Sequence, residues 1–236
     1  MRCFGMTGVV LCMGLLLSCM SFSPAHALSV GDHVYFGHYE QDGNRANGPE
    51  KIEWIVLGKR NGCSLLISKY GLDCKPFHKE NVPVTWEKSD LRTWLNSYFY
   101  KAAFTKKERD RILEAAVPAD KDLQFTTDPG NDTVDKVFLL SITESIKFFA
   151  GDKARECRAT PYARAQGAEI GDEAGNSNSW WWLRSPSKNE AKASFVTYGG
   201  DIFFLGHDVH CAHLAVRPAL WLRLPTSSSH RKSSRR

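Results

Sequence analysis

Residues 179–186 read Ser-Trp-Trp-Trp-Leu-Arg-Ser-Pro, and the fold depends on how this stretch is read. As a strand, it places Trp180 and Trp182 on one face and Trp181 on the other, because successive side chains alternate. One face is then core. The other is available to a ligand, since sugar C–H faces and other flat partners stack on indole. Two readings stay open: all three rings buried, with Trp181 under a helix, or one ring in an exposed platform.

Working outward from the tryptophans, the C-terminal segments "ASFVTY" (193–198), "DIFFLG" (201–206) and "AVRPALWLRL" (215–224) read as short strands. Tyr198-Gly199-Gly200-Asp201 has the composition of a hairpin turn. The polar, Gly-rich run "EIGDEAGNSNS" (169–179) before the tryptophans reads as a loop and the expected mobile segment. Further upstream the pattern is helical. Ser89 caps a predicted helix over 89–104 with Leu91, Trp94, Leu95 and Tyr98 on one face. Thr105 with Glu108, and Ser141 with Glu144, have capping-box spacing for helices over 105–116 and 141–150. Pro161 opens a short helix that Gly167 ends. The chain before Ser89 reads as an antiparallel meander: a strand through Val34 and Phe36, a turn at Asp42-Gly43, a strand alternating at Ile52, Trp54 and Val56, a hairpin turn at Asn61-Gly62, and a return over Ser64–Ser68. Strands, then helices, then strands predict an α+β domain rather than an alternating βαβ sheet.

The ends differ from the body. Arg2 is the only charge before Asp32, residues 7–20 are apolar or small, and Ala25-His26-Ala27 fits the small-x-small rule of signal peptidase. The expected organisation is therefore a signal peptide over 1–27, one domain over 28–225, and a disordered basic tail over 226–236. An exported protein follows, whether periplasmic, extracellular or in the cell envelope. Leu16-Leu17-Ser18-Cys19 is a rival lipobox, and the membrane is a partner only if Cys19 is lipidated. The formal charge is +5, but Arg2 and the tail residues Arg231, Lys232, Arg235 and Arg236 account for it. The body is near neutral and offers no basic face to nucleic acid. After the leader, Cys63, Cys74, Cys157 and Cys211 remain, an even number that permits two disulfides in an exported chain. Cys63–Cys74 is the local pair and Cys157–Cys211 the remainder; free thiols are the alternative.

Six blocks occur in one order: "IEWIVL…SLLISKYGLD", "TWEKSDLRTWLN…FYKAAFTKKE", "DKVFLLSITE", "ATPYA", "WWLRSP" and "VRPALWL". Together they resemble a bacterial family of extracytoplasmic domains of unknown function, over about Ile52 to Leu222. The Trp-Trp-Leu-Arg-Ser-Pro and Val-Arg-Pro-Ala-Leu blocks are its hallmarks, and the resemblance carries no activity. More distantly, the Trp-rich strand, Gly-turned hairpin and closing strand resemble C-type-lectin-like domains, including the sulfatase-modifying-factor type. That resemblance implies a C-type-lectin-like α+β fold with the N- and C-terminal strands paired, helices in the middle, and the ligand on a long loop region. Fold does not give function.

Candidate sites follow from residue chemistry. Arg184 and Arg217 sit between apolar neighbours, so an inward guanidinium needs a carboxylate or carbonyls, with Asp90, Asp135 and Glu144 as candidates. They are either buried forks tying strands together or, with Trp180, Trp181 and Trp182, ligand contacts. His207, His210 and His213, with Cys211 among them, are suitable zinc or copper ligands by type, although a strand or loop does not align that spacing. Asp128, Asp132 and Asp135 with Asn131 are oxygen ligands of the kind calcium uses in a tight turn. Calcium is the one cofactor the sequence suggests. No nucleophile elbow surrounds Ser141 or Ser185, and no phosphate-binding Gly loop is present. The expected function is a non-catalytic ligand-binding or adhesion module for a glycan or protein partner. A structural envelope domain, and then a metal- or cysteine-dependent enzyme, are the alternatives.

Overall fold

The computed structural model describes residues 28–171 and 177–223. The expected leader, the basic tail and the middle of the 169–179 loop lie outside them. No helix among the described residues is long and apolar enough to cross a membrane.

The chain opens with β1 (His33–Tyr39), β2 (Glu50–Arg60) and β3 (Cys63–Ser68), an antiparallel meander as predicted. Asn61 and Gly62 both adopt positive φ, the geometry of the tight hairpin turn that Asn-Gly favours. A two-residue strand, β4 (Asp73–Cys74), leads into the helical middle. There α1 (Asp90–Trp94), a π-helical turn (Leu95–Phe99) and α2 (Tyr100–Ala103) run on continuously. Next come α3 (Lys106–Arg109), the β5/β6 hairpin pair (Ala115–Val117 and Thr133–Asp135), α4 (Ile142–Phe148), α5 (Asp152–Arg155) and α6 (Pro161–Ala165). The strands β7 (Trp181–Pro186), β8 (Lys192–Val196), β9 (Ile202–Asp208), β10 (Ala215–Val216) and β11 (Ala219–Arg223) close the chain. The architecture is α+β.

Two sheets share one contiguous core. The first has the order β1-β2-β3-β11, the second β4-β10-β7-β8-β9. Strands from both ends of the chain meet in the first sheet, but β11 pairs with β3 and leaves β1 at the edge. The first and last strands therefore do not pair directly. β3 lies between two neighbours and is buried along Ser64–Ser68, which is why its apolar run does not alternate.

Only Arg217 and Pro218 separate β10 in the second sheet from β11 in the first. Pro218 has no N–H for a ladder, and its carbonyl instead accepts from Ser68 N at 2.9 Å. Arg217 is 1% exposed. Its Nε donates to Ser68 O at 3.0 Å and its Nη1 to Arg155 O at 3.0 Å. Its guanidinium lies 4.9 Å from the Trp181 ring centre and 5.4 Å from that of Phe149. The partners are carbonyls and aromatic faces rather than a carboxylate. Arg184 is held separately, by Glu144, by Leu139 O at 2.8 Å and by Pro118 O at 3.2 Å. Both arginines are buried forks, not ligand contacts.

Three expectations need correction. The predicted Cys63–Cys74 and Cys157–Cys211 bridges are absent, and all four cysteines are thiols. Cys63 opens β3 opposite Arg223, whereas Cys74 faces Ala215 in the other sheet. The chain changes sheets between them, so nearness in sequence is not nearness in space. The helix expected over 105–116 stops at Arg109, although its capping box forms. Leu113 N donates to Trp221 O at 2.9 Å instead, so pairing with the edge of β11 overrides helix propensity. Third, the predicted face of the 89–104 helix is rotated. Leu91, Leu95 and Phe99 are buried and Tyr98 is exposed, because the wide π turn spaces inward positions by four.

Two stability predictions follow. Arg217→Lys loses the two-pronged carbonyl contact and is expected to cost about 3 kcal/mol in urea unfolding, against less than about 0.5 kcal/mol for the exposed Arg223→Lys. Glu108 closes the α3 capping box and also accepts from Gly37 N at 3.3 Å. Burial alone would raise its carboxyl, but hydrogen bonds from Thr105 and Gly37 hold it below the ordinary value. A carboxylate with a depressed folded pKa stabilises above its unfolded value and loses that contribution as pH falls through the folded one. Glu108→Gln is therefore expected to cost about 1 kcal/mol at neutral pH, with the gap to wild type closing in melts below the ordinary glutamate range.

Candidate functional site

The tryptophan triplet divides by ring. Trp181 and Trp182 are fully buried. Trp181 donates from Nε1 to Arg155 O at 3.1 Å, beneath α5 as the buried reading requires. Trp182 donates from Nε1 to Lys75 O at 2.9 Å and packs edge-on against Phe77. Trp180 is half-buried and stacks on Tyr198 with an interplanar angle of 8°. Tyr198 in turn is exposed, as are Phe203 and Leu205 on the edge strand β9.

The contact from Trp182 to Lys75 supports the floor of a cleft of about 400 Å³. Lys75, Lys79, Asp90, Thr93, Trp94 and Ser97 line it, and Cys74 lies at its base. The α1 turn and the π turn after it build one wall. Trp94 and Tyr98 stack there with ring centres 6.3 Å apart and planes 23° apart, forming a ledge that ends in the exposed Tyr98. Lys75 Nζ lies 4.8 Å from the Trp94 ring centre. At the start of the same wall, Asp90 accepts from Lys79 N at 2.9 Å and lies 3.0 Å from His78 Nδ1. Thr93 and Ser97 donate their hydroxyl protons to the helix carbonyls of Ser89 and Thr93, leaving oxygen lone pairs for a donor.

Beneath the cleft, Tyr39 donates to Asp73 Oδ2 at 2.5 Å, and Cys74 N donates to Asp73 Oδ1 at 2.7 Å. Burial raises the Asp73 carboxyl above the ordinary range despite these bonds. Burial, with the Asp73 charge added, pushes the Cys74 thiol up to about 12. Its Sγ lies 3.1 Å from Ala212 O. A thiol held protonated in this way is not a thiolate nucleophile at neutral pH. The arrangement is suited to binding: an aromatic ledge, two ammonium groups, a carboxylate and hydroxyls around one volume.

The other sequence-derived ligands do not converge among the described residues. His207 lies on β9 with its ring beside Trp180 and Phe195, His210 is exposed in the following turn, and His213 faces Gly167 O at 3.4 Å. A strand end followed by a turn sends the three side chains apart. Asp128 accepts from Gly130 N at 3.0 Å within its turn, and Asp132 from Ala119 N at 2.8 Å across the ends of the β5/β6 pair, so both brace backbone. Asp135 is committed to Arg92 at 2.7 Å. The carboxylates that do gather, within 4.8 Å of one another, are Glu40, Asp42 and Glu50. The sequence reads that segment only as a turn, and its oxygens accept from the backbone of Gln41, Asp42, Gly43 and Asn44. Of the predicted inward face, Trp94 packs against the core while Tyr98 does not. Their i, i+4 spacing signals contact between them, but not that the π turn leaves Tyr98 exposed.

A family model described as a domain of unknown function matches residues 61–224. The chain belongs to this family, DUF6273. The DUF6273 match contains every residue lining the cleft, together with Trp181, Trp182 and Arg217, whereas β1 and β2 precede it. Searches among curated proteins and among solved structures return no significant match.

The thiol assignment in this DUF6273 domain is open to a direct test. After denaturation without reductant, the chain from residue 28 onward should alkylate at all four cysteines. In the native state Cys63, half-buried at a strand end, should react before Cys74 and Cys157. A Cys63–Cys74 cross-linked peptide in non-reducing mass spectrometry would contradict the assignment.

Proposed function

We propose that this chain is an exported, non-catalytic binding module whose ligand is a saccharide carried on the Trp94–Tyr98 ledge. The observation behind this reading is the stacked ring pair standing beside a cleft of about 400 Å³ with ionic and hydroxyl-bearing walls. A sugar has one apolar C–H face and a rim of hydroxyls. The face suits the exposed Tyr98 ring, and the rim suits Asp90, Lys79 and the Thr93 and Ser97 oxygens. Lys75 covers one side of Trp94, so a ligand meets the ammonium and the Tyr98 ring together. Export rests on the apolar 7–20 run and Ala25-His26-Ala27. The corresponding fold reading is C-type-lectin-like. Strands from both ends in one sheet with helices between them support it; the pairing of β11 with β3 rather than β1 departs from it.

A second reading has its own observation. Phe203 and Leu205 are exposed on the edge strand β9, next to the Trp180–Tyr198 stack. An exposed edge is a template for an extended peptide of a protein partner.

A glycan array on the chain from residue 28 onward, with and without calcium, tests the saccharide reading. The saccharide reading expects a defined set of glycans whose binding falls by about two- to tenfold in Tyr98→Ala and Trp94→Ala, one stacked ring being worth roughly 0.5–1.5 kcal/mol. Tyr98→Ala should leave the melting temperature unchanged, because its ring is exposed. Phe203→Asp should leave glycan binding unchanged. Silence across the array overturns the saccharide reading, and binding lost only in Phe203→Asp transfers the site to β9.

A further inference from the structure

A second cleft, of about 370 Å³, opens between the β1–β2 loop, Tyr70 and the start of α6. Its floor is rigid because it is backbone. Gly71 N donates to Arg158 O at 2.9 Å, and Thr160 N returns the bond to Gly71 O at 2.9 Å. Tyr162 N donates to Gln41 O at 2.9 Å, tying the β1–β2 loop to α6. The approach at Gly71 is so close that a Cβ there would lie 2.6 Å from Ala215 Cβ. Arg158 also bridges to Asn178 through its backbone. These bonds fix where the Arg158 and Arg164 side chains leave the wall.

Those two guanidinium groups set the chemistry. Elsewhere the arginines of the domain are largely committed: Arg92 to Asp135, Arg155 to Asp152, Arg184 to Glu144, and Arg217 to carbonyls. Arg158 and Arg164 line this cleft, are exposed, and pair with no carboxylate among the described residues. A third guanidinium, that of Arg45, lies near the Tyr162 side chain next to the wall. Opposing charge comes from Asp42, which lines the cleft with Glu40 and Glu50 within 4.8 Å of it. Asp42 accepts from Asn44 N at 2.6 Å and from Asn47 Nδ2 at 2.8 Å, and these hydrogen bonds, the Asn47 contact first, hold its carboxyl below the ordinary range. It is a fixed anion that accepts from a ligand hydroxyl and repels a bare anion. Tyr70 gives the cleft an apolar wall.

We propose that this second cleft binds an anionic sugar, with its carboxylate or phosphate on Arg158 and Arg164 and a neighbouring hydroxyl on Asp42. Guanidinium forks match both oxyanions, and Asp42 selects for a molecule that is also hydroxylated. The site shares no residue with the Trp94–Tyr98 ledge, so either can fail without the other.

The test is calorimetric titration of the chain from residue 28 onward with glucuronate, glucose 6-phosphate, neutral glucose and inorganic phosphate. Saturable binding of one or both charged sugars is expected. Which of the two binds decides between a carboxylate and a phosphate source. Glucose and inorganic phosphate should bind at least about tenfold more weakly. Arg158→Gln and Arg164→Gln should each weaken the charged sugar by about tenfold, and the affinity should fall as ionic strength rises. Asp42→Asn should keep anion binding and erase the preference for the sugar over phosphate. Both arginines are exposed, so equal melting temperatures should confirm that the variants fold. Three results would overturn the proposal: no binding of either charged sugar at millimolar concentration, glucose binding as tightly as the charged sugars, or wild-type affinity in the double arginine variant.

Discussion

The fold depends on one buried cation. Arg217 lies where the last strand crosses from one sheet to the other, and its guanidinium reaches both sheets at once. One arm holds Ser68 O at the end of β3, the other Arg155 O at the end of α5, and Trp181 covers its face. Burial lowers the guanidinium's pKa from its ordinary value. A buried charge without a carboxylate is costly unless carbonyl dipoles and ring faces replace water around it. Here they do, and they come from segments far apart in the chain. The interaction therefore forms only when the β1–β3 meander, the α5 region and the Trp-rich strand are all in place.

The cleft inherits its geometry from that junction. Trp181 and Trp182 are neighbours on β7 and point to opposite faces. One ring covers Arg217, and the other ring's N–H holds the Lys75 carbonyl under the candidate binding cleft. Arg184, two residues further on, is held by Glu144, which also caps α4. A short stretch of β7 thus supports the inter-sheet crossing, the cleft floor and a helix start. This explains three large aromatic rings in succession without requiring that any of them touch a ligand.

Much of the fold was legible in the sequence. The Asn61-Gly62 hairpin, the Thr105/Glu108 and Ser141/Glu144 capping boxes and the Pro161 helix start appear where local rules place them, because each is a contact within a few residues. The failures are long-range. Helix propensity over 105–116 yielded to β11, a strand more than a hundred residues later. Cys63 and Cys74 are eleven positions apart and lie in different sheets. The site fared worse. Trp94 and Tyr98 have the spacing of a buried stripe, and only the π turn places Tyr98 outside. Asp128 and Asp132 have the composition of a calcium turn, but their oxygens brace backbone.

The sequence alone determined the local elements, the α+β order, two arginines set among apolar neighbours, and a near-neutral body flanked by an apolar N-terminal run and a basic C-terminal run. These properties follow from composition, period and short-range hydrogen bonding. Tertiary structure decided which residues share a cleft, which tryptophan reaches the surface, which carbonyls receive Arg217, and that the four described cysteines are thiols. Each of these depends on where two segments cross in space. A crossing is set by the packing of the whole core and leaves no periodic mark in either segment.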